Sequence, residues 1–224
     1  VGGMDFADEI SAATVAAAMN KPVLLFATKE GELRPDGERV SDSFCGSLSI
    51  GVALHRRKTS FTMAGLVWPE EPAFLTAVED FARGCHALKY FRGARVGQIG
   101  VRPERFETVA YNEPLLVERS GIKIVPIAVS QMTQQALAIS EEDPEIAAII
   151  REITAQAGVL NVGSRSLLRM AQYELAVVRW MQARNLSAMA QFCGAVRPLM
   201  GIAVCSTLGR LTDRGLMASC ETNV

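Results

Sequence analysis

Pro22-Val23-Leu24-Leu25-Phe26-Ala27 is an unbroken apolar run that gives way to the polar loop residues Thr28-Lys29-Glu30. A run of this length with no polar face predicts a strand buried in a parallel sheet. Upstream, Ser11–Asn20 is rich in alanine at helical spacing. Downstream lies a loop over Lys29–Ser41, rich in Gly, Pro, Glu and Asp. Helical spacing returns over Ser43–His55, where Phe44, Leu48, Val52 and Leu54 are apolar. Ser60–Leu66 predicts another strand. Pro69–Tyr90 predicts a long amphipathic helix, with Pro69 near its start and Glu70 and Glu71 in the first turn, where they suit the helix dipole.

A second series starts near Arg95. Arg95-Val96-Gly97-Gln98-Ile99-Gly100 predicts a strand running into a glycine turn, and Ile122–Ile127 predicts a second strand. Ser130–Ala138 and Pro144–Ala157 read as helices, the second with Asp143 as N-cap and Pro144 at the first helical position. Ser164–Arg184 is the longest helical pattern, with Leu167, Leu168, Ala171, Leu175, Val178 and Met181 in register. A strand over Ser187–Phe192, a short helix over Ala203–Asp213 closed by Gly215, and a last strand over Leu216–Cys220 complete the reading. Strands separated by helices imply βαβ units, so the fold class is α/β with two Rossmann-like open parallel sheets. The break near Tyr90–Gly93 divides residues 1–91, the incomplete end of one α/β domain, from 92–224, most of a second. Ligands of such sheets bind at the carboxyl ends of the strands. Here those ends are Ala27–Glu30, Gly97–Arg102, Phe192–Gly194 and Cys220–Asn223.

Composition narrows the function classes. Of 224 residues, 49% are hydrophobic, and 23 basic against 24 acidic side chains leave a net charge of -1. That balance, without a basic stripe, predicts no nucleic-acid partner. The apolar runs are too short to predict a membrane span. The N-terminus, Val1-Gly2-Gly3-Met4-Asp5-Phe6, has neither a basic segment nor an apolar core of signal-peptide type, and both ends read as cut from a longer polypeptide. The five cysteines are odd in number and lack the CxxC spacing of a zinc site. A reducing, cytoplasmic setting and buried, inert thiols are the expectation.

Individual motifs carry little alone. Gly97-Gln98-Ile99-Gly100 lacks the third glycine and helix start of a dinucleotide site, and a tight turn is the plainer reading. His55 sits among Arg56, Arg57 and Lys58, and His86 sits beside Cys85. Neither has a ligand partner at helical spacing, so a histidine-based triad has little support. Glu221, directly after an apolar strand, stands where α/β enzymes place chemistry, or else it simply enters a surface loop.

The order of several short motifs is more specific. It comprises Ser187–Cys193, then Ala203-Val204-Cys205-Ser206-Thr207-Leu208 through Thr212-Asp213-Arg214-Gly215, then Ala218-Ser219-Cys220-Glu221. Earlier come the Gly-x-x-Gly strand end, the acidic helix near Glu113, Ser120-Gly121-Ile122, Val23–Thr28 and Cys45-Gly46. In this order they resemble the L-fucose isomerase and L-arabinose isomerase-like family. The resemblance implies two α/β domains followed by a C-terminal β-barrel-like domain that lies outside this chain. It implies a divalent-metal-dependent aldose–ketose isomerase, using manganese (Mn²⁺) or a similar cation, acting on a sugar such as L-fucose or L-arabinose through a cis-enediol. Glu221 matches the glutamate that closes the second domain, as metal ligand, as proton acceptor, or as both. The partner Asp and His fall further along than Val224, so the piece alone is expected to be inactive. Cys45 and Gly46, from the first domain, and Cys193, at another strand end, are candidate substrate contacts. A monosaccharide substrate and a homo-oligomer, hexamer or trimer, also follow from the resemblance. The competing readings are a sugar-binding α/β module without chemistry and a non-catalytic subunit.

Overall fold

The computed structural model describes residues 1–6, 8–157 and 161–224. The chain divides into two compact units, Val1–Tyr90 and Phe91–Val224. In the first, β1 (Gly2–Gly3), α1 (Glu9–Met19), β2 (Val23–Ala27), α2 (Ser43–Arg56), β3 (Phe61–Leu66) and α3 (Pro72–Phe91) follow one another, α3 running one residue past the boundary. The strands form one parallel sheet in the order β1-β2-β3. Val23, Leu25 and Ala27 alternate with half-buried Leu24 and Phe26, so one face of β2 is fully covered. That face packs on Ala13 and Ala16 of α1 and on Ile50, Ala53 and Leu54 of α2. Phe26, on the other face, meets Phe74 of α3 edge-on, with centroids 4.8 Å apart. Asp8 caps α1 by accepting from the Ile10 and Ser11 N–H groups.

One boundary moved. The helix expected from Pro69 starts at Pro72. Glu70 and Glu71 therefore precede it, and Glu71 turns to Lys29 at the end of β2, 2.5 Å away. The Lys29 ammonium holds the Glu71 carboxyl below its ordinary range. A tertiary ion pair, rather than the helix dipole, sets that carboxylate.

The second unit carries β4 (Arg95–Ile99), α4 (Glu113–Ser120), β5 (Lys123–Ile127), α5 (Val129–Leu137), α6 (Pro144–Gln156), α7 (Ser164–Ala183), β6 (Ala188–Gln191), α8 (Arg197–Met200), α9 (Cys205–Asp213) and β7 (Met217–Cys220). All pairs are parallel, in the order β5-β4-β6-β7. The order reverses direction between β4 and β6, the switch point of a doubly wound sheet. The expected α/β class with two open parallel sheets is what the structure contains. Gly100, at φ +84°, makes the tight turn after β4 in a conformation an L side chain rarely adopts. The chain then takes only a short 3₁₀ turn, Glu107–Val109, before α4, so the segment after the glycine turn does not itself open a helix as a dinucleotide fold would need.

α7 is the spine of this unit. Tyr173, Val177, Trp180 and Met181 join Ile99, Met132, Met189 and Leu211 in the main core, while Leu167, Ala171 and Leu175 pack on Ile146, Ile149 and Ile153 of α6. A buried ion pair ties α9 to it. Arg210 Nε donates to Glu174 Oε2 at 2.9 Å, and the two side chains are 7% and 1% exposed. Glu152 and Arg214 extend the network to the surface.

Removing one partner of a buried pair strands the other charge, at a cost of about 3–5 kcal/mol. Glu174→Ala is therefore expected to lower unfolding stability by that amount in urea titrations. Arg210→Met combined with Glu174→Leu is expected to recover most of the loss, because an apolar pair needs no compensation.

Candidate functional site

β6 and β7 lie side by side, with Gln191 opposite Cys220 at their carboxyl ends. Cys193 follows β6 and Glu221 follows β7, so two residues 28 positions apart meet at one edge of the sheet. Both neighbouring thiols donate to the same carboxylate oxygen: Cys193 Sγ to Glu221 Oε1 at 3.3 Å and Cys220 Sγ at 3.1 Å. The other oxygen, Oε2, is buried with no hydrogen-bond partner. A buried, unpaired carboxylate oxygen is costly and demands an explanation, of which a cation is one.

The backbone behind the carboxylate is turned sharply. Thr222 is fully buried at φ +66°, a conformation rare for a β-branched residue, and its hydroxyl donates to the Glu221 carbonyl. Ser219 Oγ donates to the Asn223 carbonyl at 2.6 Å, closing the turn.

The environment keeps the thiols protonated. Burial, the Cys220 thiol and then the Glu221 carboxylate push Cys193 up to about 12. Burial and Glu221 raise Cys220 in the same direction. A thiolate beside a carboxylate, where part of its solvent is excluded, pays both desolvation and like-charge repulsion.

The expectation of buried cysteines is corrected. Cys205 and Cys220 are exposed, and Cys45, Cys85 and Cys193 are half-buried. Apolar burial was a poor guide because Cys45, Cys193, Cys205 and Cys220 sit at or beside element ends, and Cys85 lies on α3, which buries none of its residues.

Of the residues expected to bind substrate, the structure brings Cys193 to Glu221. Cys45 and Gly46 lie in the first unit, in the opening turn of α2. Asp42, just before that helix, accepts from the Cys45 thiol and raises its pKa. Gly46 has a structural reason to be glycine, since a Cβ there would lie 2.2 Å from the Asp5 carbonyl oxygen. His55 and His86 are exposed, and His86 meets the Tyr90 ring at a tilt with ring centroids 4.7 Å apart.

Three polar residues near the strand ends went unnoticed in the sequence. Gln191 is wholly buried with both amide atoms unpaired, and the hydroxyl of Tyr173, also wholly buried, lacks a partner of good geometry. At the end of β4, the Tyr111 hydroxyl donates to Gln98 Oε1 at 2.5 Å. Nothing local marks such glutamines: alternation assigns them to a face, but only the assembled sheet shows which face is sealed.

An open parallel sheet whose strand order reverses between β4 and β6 defines an α/β protein of the doubly wound class. Residues 1–92 match the family described as fucose/sulfoquinovose isomerase, N-terminal domain. The chain is 25% identical over 207 residues to a sulfoquinovose isomerase of Alkalicoccus urumqiensis, covering 91% of this chain and 45% of the relative. It is 22% identical over 222 residues to the sulfoquinovose isomerases of Priestia aryabhattai and Priestia megaterium, covering 98% of this chain and 48% of each relative. The chain thus spans about half the length of the curated relatives it matches. These matches support a fucose isomerase-like family. Among the described residues no helix is long and apolar enough to cross a membrane.

Two outcomes follow from this geometry. Cys205 is expected to alkylate readily at pH 8 under native conditions, whereas Cys193 stays largely unlabelled until the pH approaches its raised value, as read by mass spectrometry of labelled peptides. Gly46→Ala is expected to cost about 1–3 kcal/mol in urea unfolding, the usual cost of overpacking.

Proposed function

We propose that this chain is the leading part of a divalent-metal-dependent aldose–ketose isomerase, with Glu221 as a metal ligand and a participant in proton transfer. The observation that carries the reading is the unpaired, buried Glu221 Oε2 at the carboxyl end of β7, in a chain similar over nearly its whole length to sulfoquinovose isomerases. An anionic oxygen free of hydrogen bonds suits a hard cation such as Mn²⁺. The cation, when bound, supplies Lewis-acid polarisation of a sugar carbonyl.

Glu221 then has two tasks that its position supports. It contributes one oxygen to the cation, and it stands near enough to a sugar at the strand ends to accept the proton that leaves one carbon and return it to the next. The Cys193 and Cys220 thiols, donating to Oε1, orient the carboxylate and leave Oε2 available. Remaining protonated at neutral pH, they add no negative charge to compete for the proton. Cys45 and Gly46 stay candidate sugar contacts from the first unit, and a homo-oligomer in a cytoplasmic setting completes the proposal. The substrate is a monosaccharide of the class that includes L-fucose, L-arabinose and sulfoquinovose.

The test is metal-stripped full-length protein with Mn²⁺ restored, assayed for aldose-to-ketose conversion over those sugars, wild type beside Glu221→Gln. Mn²⁺-dependent turnover is expected, with kcat reduced by at least about 100-fold in the variant, the usual contribution of a general acid–base group. Sugar binding without turnover in the wild type would instead establish a binding module.

A further inference from the structure

The two thiols beside Glu221 give this strand edge a second ligand chemistry. Cys193 Sγ, Cys220 Sγ and a Glu221 carboxylate oxygen all lie within 4.8 Å of one another, a grouping of three metal-ligating side chains within the second unit. They come from the ends of two adjacent, hydrogen-bonded strands, so the sheet itself fixes their spacing. We propose that Cys193, Cys220 and Glu221 form a binding site for a thiophilic divalent cation, of which Zn²⁺ is the type, with a fourth position left to solvent.

The geometry suits it. With Zn–S near 2.3 Å and Zn–O near 2.1 Å, the ligand-to-ligand edges of a tetrahedron are about 3.5–3.8 Å. The thiols stand 3.3 and 3.1 Å from Glu221 Oε1, so a rotamer adjustment of a few tenths of an ångström admits the ion. Thiolate sulfur is soft and selects Zn²⁺, Co²⁺ or Cd²⁺ over Mn²⁺ or Mg²⁺. The unpaired Glu221 Oε2 is an independent sign that the site lacks a ligand's partner. Binding balances as the loss of two thiol protons for each divalent cation gained, leaving two thiolates and one carboxylate around the ion. Such an ion engages the carboxylate that the isomerase reading assigns to a hard cation, so the two compete; the competition rests on that reading, and the site itself does not.

The probe is Co²⁺ alone, titrated into reduced, chelator-stripped protein without sugar. A sulfur-to-cobalt charge-transfer band in the near ultraviolet is expected, saturating at a single ion and bleached by Zn²⁺. Cys193→Ser and Cys220→Ser are each expected to weaken Co²⁺ binding by at least about 100-fold, more than an outer-shell change costs. Cys85→Ser and Cys205→Ser leave it unchanged. Protection from alkylation by Zn²⁺ in the wild type, located by mass spectrometry at Cys193 and Cys220, carries the test should a serine variant fail to fold. Absence of the band, its survival in both site variants, or protection confined to other cysteines overturns the proposal. None of these results bears on Mn²⁺-dependent turnover, so the isomerase reading stands or falls separately.

Discussion

The Arg210–Glu174 pair is a buried charge contact between α9 and α7 around which the second unit is packed. Both side chains are withdrawn from water, and each buried charge needs an opposite charge beside it. α9 is only nine residues long and buries Thr207, Leu208 and Leu211 besides Arg210, so apolar packing alone leaves its rotation loosely set. The guanidinium, bonded to both carboxylate oxygens of Glu174, fixes α9 against the middle of α7. The outer arms to Glu152 and Arg214 are partly solvated and add little by comparison. α9 passes through Gly215 into β7, and the pairing of β7 with β6 then sets Glu221 at the sheet edge.

At the sheet edge the physical tension lies within one carboxylate. Oε1 accepts from two thiols, whose environment keeps them neutral, while Oε2 stays buried and unpaired. Buried polar groups are normally satisfied, and departures gather where a protein binds or reacts. The left-handed Thr222 immediately after Glu221 belongs to the same pattern: a strained residue held in place by full burial and by a closed turn. Adjacent strand ends in the parallel sheet are what bring Cys193 and Cys220 to this one carboxylate.

The comparisons bear on the family. The matched N-terminal domain, residues 1–92, ends beside the boundary of the first compact unit at Tyr90. Identity of 22–25% keeps an architecture while allowing pocket side chains to change. Gly46 illustrates the difficulty of carrying roles across such a distance. It was singled out as a sugar contact, yet the Asp5 backbone alone accounts for a glycine there.

The sequence by itself determined the secondary structure and the class. Val23–Ala27, Arg95–Ile99 and Ser164–Ala183 are legible because the periods of strand and helix are local properties of the chain, and Asp143 marked the start of α6 through its own hydrogen bond to the Glu145 N–H. The Gly2–Gly3 strand escaped, since two glycines carry no side-chain pattern. The start of α3 moved because Glu71 is claimed by Lys29, 42 residues away. Only the tertiary structure decided what sits beside Glu221, which partner holds Arg210, and that Gln191 faces a sealed interior. Each depends on strands and helices distant in sequence being brought into register, and burial and charge pairing have no signature until that assembly has formed.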